Sequence, residues 1–500
     1  MKPLFIRTDA HISIGIGHFM RCFALAQAWK DQGGQVVFIT SCKIDSLLEK
    51  LKTEGFVLQQ LDSPDPDEKD LDLTLQLLNS AGRDSWLMLD GYHFDSCYQE
   101  RIKEQGYRLL VIDDMAHLPM YWADLILNQN LGSEEIVYRR QPYTKRLLGS
   151  RYILLRREFT SWKKQERIIP TTARKILITM GGGDEKNLSF QVIQALQGAV
   201  IPEMECRVLI GAANPHISAL EKVAKGSKFP VQLLIDPPNV PEIMYWADLA
   251  IAAAGSVYWE LAYLGVPMIP LILSRNQHMV AQQLAKAAVT HCVDVTNGVL
   301  PDFFMDDISA ITINPDLRTL RMQAGQKLVD GEGCSRVVAT IKGDQLRLRL
   351  ARESDADLIW KWANDPVTRS VSFSTESISW DDHLQWFSDQ LSNPNSLILL
   401  GLDEQDHPIG LVRFEIINHL CIQSENLNPD YRGLGFGWKL LKTACETCFA
   451  RFDIQEIHGF IKKEHIASIK TAQKTGFHKA GTQIVKGSMA DHYILTRGIR

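Results

Sequence analysis

The stretch FIRTDAHISIGIGHFMRCFALAQAW, residues 5–29, decides the reading of the fold. A short apolar run comes first. Gly15-Ile16-Gly17-His18 follows, and then Phe19, Cys22, Phe23 and Ala26 recur at helical spacing. Strand, Gly-x-Gly turn and amphipathic helix, in that order, begin a βαβ unit. Gly15 and Gly17 allow a tight turn and a close backbone approach. The helix that opens near His18 has unpaired N–H groups and a dipole that favours an anion. A histidine directly after such a turn either packs there or does chemistry beside a bound anion.

Further apolar runs follow at strand length: QVVFIT, WLMLDGY, RLLVIDD and DLILNQN, separated by helical stretches. This rhythm predicts a parallel sheet covered by helices. The polar segment SWKKQERIIPTTARK, 161–175, reads as a linker. A second series follows it: KILITMGGG, CRVLIGAA, VQLLID, DLAIAAAG and VPMIPLIL. The two α/β halves, 1–160 and 172–341, predict a cleft whose ligand sits beyond the carboxyl ends of the strands. After residue 342 the pattern changes. LRLRLARESD, SLILLGLDE, HPIGLVRFEII and a glycine loop, RGLGFG, predict an α+β domain over 345–500.

Composition narrows the function classes. Of 500 residues, 45% are hydrophobic and 23% charged, with a formal net charge of −5. Lys and Arg are spread along the chain, which argues against nucleic acid as a partner. No apolar run approaches the ~20 residues of a membrane span. Arg7, Asp9 and His11 interrupt any signal-peptide core, and nine scattered cysteines fit free thiols in a cytoplasm. Cys445-Glu-Thr-Cys448 has redox spacing but lies within a helical pattern.

Three further segments bear on the cleft. Gly181-Gly182-Gly183-Asp184 ends a strand with a second glycine turn. Gly255-Ser256 opens a helix with Glu260 one turn in, an arrangement that offers phosphate a turn and ribose hydroxyls a carboxylate. Arg275-Asn276-Gln277 follows the strand PMIPLIL and supplies amides. With SIGIGHFMRC, LDGY, VIDD, LLRREF and VDGEGCSRVV, these segments resemble the UDP-sugar hydrolases of pseudaminic acid biosynthesis, in collinear order over about 1–341. The resemblance implies a GT-B pair of Rossmann-like domains, a fold shared with the lipid II GlcNAc-transferases. It implies that His18 is a base for water attacking the anomeric carbon, with Asp90 and Tyr92 on the same face. Gly15, Gly17, Arg21, Gly182, Gly183, Asp184, Ser256, Glu260, Asn276 and Gln277 are then expected to bind a UDP-linked amino sugar. Asp113 and Asp114 end another strand there and serve equally well as helix caps. His93, His117 and His278 are isolated, and no metal is expected.

In the last domain, Arg432-Gly433-Leu434-Gly435-Phe436-Gly437 lies between a strand and a helix. Such a loop holds a pyrophosphate through its backbone N–H groups. With Trp362-Ala-Asn-Asp365-Pro366-Val-Thr-Arg369 and His465-Ile-Ala-Ser468-Ile469, it resembles the GNAT N-acetyltransferases. The resemblance implies acetyl-CoA as cosubstrate, held by Leu427, Arg432, Gly433, Gly435 and Gly437. It also implies that the strand CIQSENLN splays from its neighbour. The chain departs from the pattern at His465, where Asn is common, and at Ala472, where many members carry an acid tyrosine. The general acid is therefore open, and Glu415 and Glu425 are candidate bases acting through water. Together the two resemblances imply consecutive steps on one UDP-sugar. A glycosyltransferase with an unrelated acetyltransferase, or a protein that senses these ligands without turnover, is the competing reading.

Overall fold

Five of the parallel strands are buried along their whole length, and these strands set the architecture. They are Leu4–Thr8, Trp86–Asp90, Leu125–Asn128, Leu249–Ala253 and Met268–Ile272. Strands covered by helices on both faces read as continuous apolar runs, as these do. In the computed structural model the residues described are 2–11, 15–82, 85–162, 167–211, 214–287, 289–342, 346–403, 406–417, 420–433 and 435–498, without the side chain of Asn276. The chain divides into two compact units, Met1–Val338 and Ala339–Arg500.

The first sheet is built from β1 (Leu4–Thr8), α1 (Gly17–Asp31), β2 (Val36–Thr40), α2 (Asp45–Thr53), β3 (Val57–Gln60), α3 (Glu68–Ala81), β4 (Trp86–Asp90), α4 (Ser96–Glu104), β5 (Arg108–Ile112), β6 (Leu125–Asn128), β7 (Lys145–Leu148) and α5 (Arg157–Thr160). Its order is β3-β2-β1-β4-β5-β6-β7, all parallel. Strand order reverses between β1 and β4, which is where an open parallel sheet leaves a crevice for ligands. Asp67 and Asp95 start α3 and α4 by accepting the backbone N–H of Asp70 and Tyr98.

The second sheet comprises β8 (Lys175–Thr179), α6 (Leu188–Leu196), β9 (Glu205–Ile210), α7 (Ile217–Lys225), β10 (Val231–Ile235), α8 (Val240–Trp246), β11 (Leu249–Ala253), α9 (Ser256–Tyr263), β12 (Met268–Ile272), α10 (His278–Lys286) and β13 (Val293–Asp294). Helices α11 (Phe304–Thr312), α12 (Pro315–Leu328) and α13 (Gly333–Lys342) follow. The order is β10-β9-β8-β11-β12-β13, again parallel, with its reversal between β8 and β11. The turns after β1, β4, β8 and β11 therefore stand at the two reversal points.

The segment expected to be a linker is fastened to the second sheet. Arg167 donates to the carbonyls of Tyr245 and Ala247 at 2.6 Å each and lies over the Tyr245 ring. Its Lys163–Glu166 part lies outside the described residues. Ile153, Leu155 and Phe159 pack into one apolar cluster with Tyr258, Trp259 and Leu261. At the end of the unit, α13 returns to the stretch after β7, where Cys334 donates to the Leu155 carbonyl and Arg336 to that of Arg151.

The second unit holds β14 (Arg347–Leu350), α14 (Ala356–Ala363), α15 (Pro366–Val371), α16 (Trp380–Ser392), β15 (Ser396–Leu402), β16 (Pro408–Ile417), β17 (Leu420–Leu427), α17 (Phe436–Arg451), β18 (Glu456–Lys462), α18 (Ile466–Thr475), β19 (His478–Val485) and β20 (Ser488–Thr496). Its sheet runs β14-β15-β16-β17-β18-β20-β19, antiparallel except for β17 with β18. That parallel pair meets only at Cys421–Ile457 and Ile422–His458, so the strands splay from Gln423 onward. Helix α17 packs on one face with Leu397, Val412, Cys421, Ile457 and Tyr493. Helices α14 and α16 cover Ile398, Leu400 and Leu411 on the other. Cys445 and Cys448 are buried in α17 as free thiols, and the thiol close to Cys448 is that of Cys421, at 3.7 Å.

Close backbone contact at Gly333 yields a stability test. A Cβ there would stand 2.1 Å from the Ile153 carbonyl oxygen and 2.6 Å from the Tyr152 carbonyl carbon. Neither atom is the end of a flexible side chain. Gly333→Ala is expected to cost about 1–3 kcal/mol, measured by denaturant unfolding of the full chain.

Candidate functional site

The turn after β1 and the turn after β8 touch. A Cβ on Gly182 would lie 2.5 Å from the Ile16 side chain, and one on Gly17 would lie 3.4 Å from the Ser256 hydroxyl. The N-termini of α1 and α9 thus converge on one cleft of about 430 Å³, of a size suited to a small ligand. Gly15 and Gly181 take φ +79° and +80° in these turns, a conformation that favours glycine. Gly15, Gly17, His18, Arg21, Tyr92, Gly182, Gly183, Asp184, Ser256, Glu260 and Gln277 all border the cleft. Asn276 was expected with them, but its side chain lies outside the described residues.

The centre of the cleft is a charge network on α1. His18 Nδ1 lies 2.6 Å from Asp90 Oδ1. With the ring proton on Nδ1 this contact is a hydrogen bond to the carboxylate and Nε2 is left as an acceptor; Arg21 Nη2 lies 3.1 Å from the same Nδ1. Arg21 donates Nε to Asp90 Oδ2 at 2.6 Å and Nη2 to Asp90 Oδ1 at 2.7 Å. Its Nη1 reaches both oxygens of Asp114, at 3.0 and 2.9 Å. Tyr92 OH and Asn130 Nδ2 also donate to Asp114, at 2.9 and 2.8 Å. The Tyr92 ring meets the His18 ring edge-on at 5.1 Å. Burial opposes the Asp90 charge, yet Arg21 and His18 hold its carboxyl well below the usual carboxylate range. The same two carboxylates raise Arg21 against the cost of its burial.

Three expected residues are tied to protein groups in this geometry. Asp90 is fully buried and does not line the cleft beside Tyr92; His18 and Arg21, which do line it, both hold its carboxylate. Arg21 borders the cleft with its guanidinium paired to Asp90 and Asp114. Asp184 takes the N–H groups of Leu188 and Ser189, at 2.8 and 3.0 Å, and so caps α6. Burial pushes its carboxyl up.

Glu260 faces the cleft with Oε1 held by Arg156 Nη2 at 3.0 Å, and Oε2 accepts no hydrogen bond among the described residues. Burial pushes its carboxyl up and Arg156 pulls it back. Arg156 also reaches Glu158, at 3.2 Å. Gln277 uses Oε1 on the Leu273 N–H, while its Nε2 faces Gly255. Asp114, named with Asp113 as either a cleft residue or a helix cap, borders the cleft; Asn130 and Arg156 were missed as site residues, because nothing in the spacing of DLILNQN or LLRREF says which side chains turn inward. Asp113 accepts from Met115, Ala116 and Tyr121 and pairs with His117, so it holds a turn. Among the described residues, no group of three or more His, Cys, Asp or Glu is placed to hold a metal ion, and no helix is long and apolar enough to cross a membrane.

In the second unit, the glycine loop and the Trp-x-Asn-Asp-Pro segment meet. Arg432 donates to Asp365 at 2.6 Å and to Thr368 Oγ1 at 2.9 Å, so this side chain clamps α15 to the loop. The expected acetyl-CoA ligand is thus tied to protein groups. Gly433 and Gly435 take φ +79° and +83° with open space around each, Gly435 standing just before α17. A Cβ on Gly437 would lie 3.2 Å from Leu427 and 3.3 Å from Thr471, which places the end of β17 against the start of α17. Leu434 lies outside the described residues. Ala472 is buried, so that position offers no hydroxyl. Tyr431 donates to Asp403 at 2.7 Å and is pushed up to about 12. Glu425 sits on the α17 face of β17, accepts from Ser468 at 3.1 Å, and is pushed up to about 7 by burial. Glu415 lies on β16, opposite Ile422. Burial and the Arg432 charge both lower His465.

Comparison with known proteins places these features. The acetyltransferase (GNAT) domain family matches residues 345–478. An uncharacterized protein of Methanocaldococcus jannaschii is 22% identical over 95% of this chain and 96% of its own length. The spore coat polysaccharide biosynthesis protein SpsG of Bacillus subtilis is 27% identical over 67% of this chain and 97% of its own. A Helicobacter pylori protein named pseudaminic acid cytidylyltransferase and UDP-2,4-diacetamido-2,4,6-trideoxy-beta-L-altropyranose hydrolase is 24% identical over 55% of this chain and 45% of its own. Among solved structures, spermidine N-acetyltransferase of Vibrio cholerae with CoA and spermine is 20% identical over 30% of this chain and 95% of that one, with a TM-score of 0.29. Aminoglycoside acetyltransferase AAC(6')-Ib with coenzyme A is 18% identical over 30% and 95%, with a TM-score of 0.28. The chain therefore carries a GNAT-like domain after a parallel α/β unit.

Proposed function

We propose that residues 1–341 form a GT-B-type hydrolase of a UDP-linked amino sugar, and residues 345–500 an acetyl-CoA-dependent N-acetyltransferase that prepares its substrate. The acetyltransferase converts the 4-amino group of the UDP-sugar to an acetamide. The hydrolase then releases 2,4-diacetamido-2,4,6-trideoxy-L-altrose and UDP. The observation that carries the reading is the His18–Asp90 pair on a cleft bordered by the N-termini of two helices. The likeness of the chain to SpsG and to the Helicobacter pylori protein supports it. So does the GNAT match over 345–478. A cytoplasmic enzyme fits nine free cysteines.

The chemistry follows from the charges. The α1 and α9 N-termini and the glycine turns offer N–H groups to the diphosphate, and Glu260 Oε2 is open to a ribose hydroxyl. His18 Nε2 takes a proton from water as oxygen attacks the anomeric carbon. The C–O bond to UDP breaks with inversion, and Asp90 steadies the imidazolium. Tyr92, anchored on Asp114, stands beside the ring and orients water or sugar. In the other unit the splay between β17 and β18 receives the thioester, the Gly433–Gly437 loop receives the pyrophosphate, and the Leu427 N–H faces the acetyl carbonyl.

Incubating the chain with UDP-4-amino-4,6-dideoxy-L-AltNAc and acetyl-CoA is expected to yield CoA, UDP and free diacetamido sugar, followed by mass. UDP release only upon adding an acceptor alcohol would establish a glycosyltransferase instead. His18→Ala is expected to slow UDP release by about 10²–10⁴-fold with CoA release unchanged. Asp90→Asn is expected to lower kcat more than it changes KM, because the wrong tautomer fails in the transition state.

Glu425 gives a pH test of the acyl-CoA side. Its carboxyl titrates near 4.5 unfolded and about 7 folded, so the fold disfavours the charged form. Stability is unaffected below pH 4.5, falls as pH rises from there to 7, and stays lowered above. Glu425→Gln is expected to match the parent at pH 4 and to exceed it by on the order of 1–3 kcal/mol at pH 8, measured by calorimetry of the full chain.

A further inference from the structure

The face of β17, β18 and β20 opposite α17 carries a feature that the acetyl-CoA site does not use. Ile457, Ile461 and Tyr493 point into the α17 core. By strand alternation His458, Phe460 and His492 point to the other face. Their rings form one stack: His458 and His492 are 5.2 Å apart at 21°, and Phe460 and His492 are 4.8 Å apart at 20°. His458 Nδ1 and His492 Nε2 share a hydrogen bond of 3.0 Å, and Glu456 lies 3.7 Å from His458 Nε2. The packed helices on this face cover β15 and β16. Lys462 over Phe373 and Arg413 over Trp386 bound the remaining floor.

The stack stands beside the splay. His458 is the last β18 residue paired with β17, and Phe460 lies beyond it, where the strands part.

We propose that this open face receives the amine acceptor, and that His492, through its bond to His458, takes the proton the amine must lose before it attacks the thioester. The three-ring platform suits a ring-bearing amine such as an amino sugar, and this part rests on the proposed function above. The proton steps balance. An ammonium gives one proton to neutral His492, and the free amine attacks the acetyl carbonyl. The C–N bond forms, the C–S bond breaks, and the second amine proton ends on the CoA sulfur. Two hydrogen-bonded imidazoles resist holding two protons at once. Burial and His458 both lower His492, while Glu456 opposes them; these are the titrating groups that face it. Glu425, on the α17 face, is across the sheet from this pair.

The test is acetyl transfer by the full chain from pH 5 to 9 with three amines: the UDP-amino sugar, spermidine and kanamycin. His492→Gln and His492→Ala are expected to lose about 10²–10³-fold in kcat/KM and to lose the acid limb of the pH profile, with thermal unfolding unchanged. Added imidazole is expected to restore His492→Ala, which a packing role would not allow. His458→Gln is expected to shift the acid limb with a smaller loss. An unchanged acid limb in His492→Gln, or no imidazole rescue, overturns the role of His492. Turnover of spermidine or kanamycin but not of the UDP-amino sugar overturns the sugar reading and leaves the role of His492 to be decided by the same variants. If none of the three is turned over, both fall.

Discussion

Arg21 is held between two buried carboxylates, and the cleft of the first unit is built around that pairing. One guanidinium serves Asp90 from β4 and Asp114 from beyond β5, so it ties α1 to two strand ends at once. Desolvating three charges is expensive, and removing the shared guanidinium leaves two buried carboxylates uncompensated. The arrangement is therefore rigid for an electrostatic reason. His18, one turn before Arg21 on the same helix, inherits that rigidity through its bond to Asp90.

The glycine turns are the complementary constraint. Gly182 faces Ile16 at a distance that leaves no space for a side chain without movement, and Gly17 stands within van der Waals reach of the Ser256 hydroxyl. The two reversal points of the two parallel sheets are thus brought within contact, and helix N-termini from both converge. The turns and helix starts present backbone N–H groups to the cleft, and its central arginine is paired with carboxylates. In the second unit the same pattern recurs: Arg432 is bonded to Asp365, and the Gly433–Gly437 loop is left with backbone N–H groups as its donors.

Much of this was legible in the sequence, element by element. Continuous apolar runs gave the β1, β4, β11 and β12 strands, because parallel strands covered on both faces have no polar side to mark them otherwise. The segment CIQSENLN was expected to splay, and its pairing with β18 does stop at Ile422. The polar stretch 161–175 was expected to be a linker, and its described residues before β8 form no helix or strand; that Arg167 binds two carbonyls of the second sheet is a use of charge that local composition cannot reveal. Arg21 and Asp184 border the cleft as expected but face protein partners, and Asp90 is hidden behind His18.

By itself the sequence determined which residues sit on turns and which on strands. Glycine, periodicity and apolar run length act over a few neighbours, and His18, Gly182, Ser256 and Gly435 could be placed that way. The direction in which each polar side chain spends its charge was decided only by the tertiary structure. Whether Arg21 meets a phosphate or Asp114, and whether His458 meets water or His492, depends on residues 93 and 34 positions away. Local patterning fixes backbone geometry; the pairing of charges is fixed by which strand ends the sheets bring together.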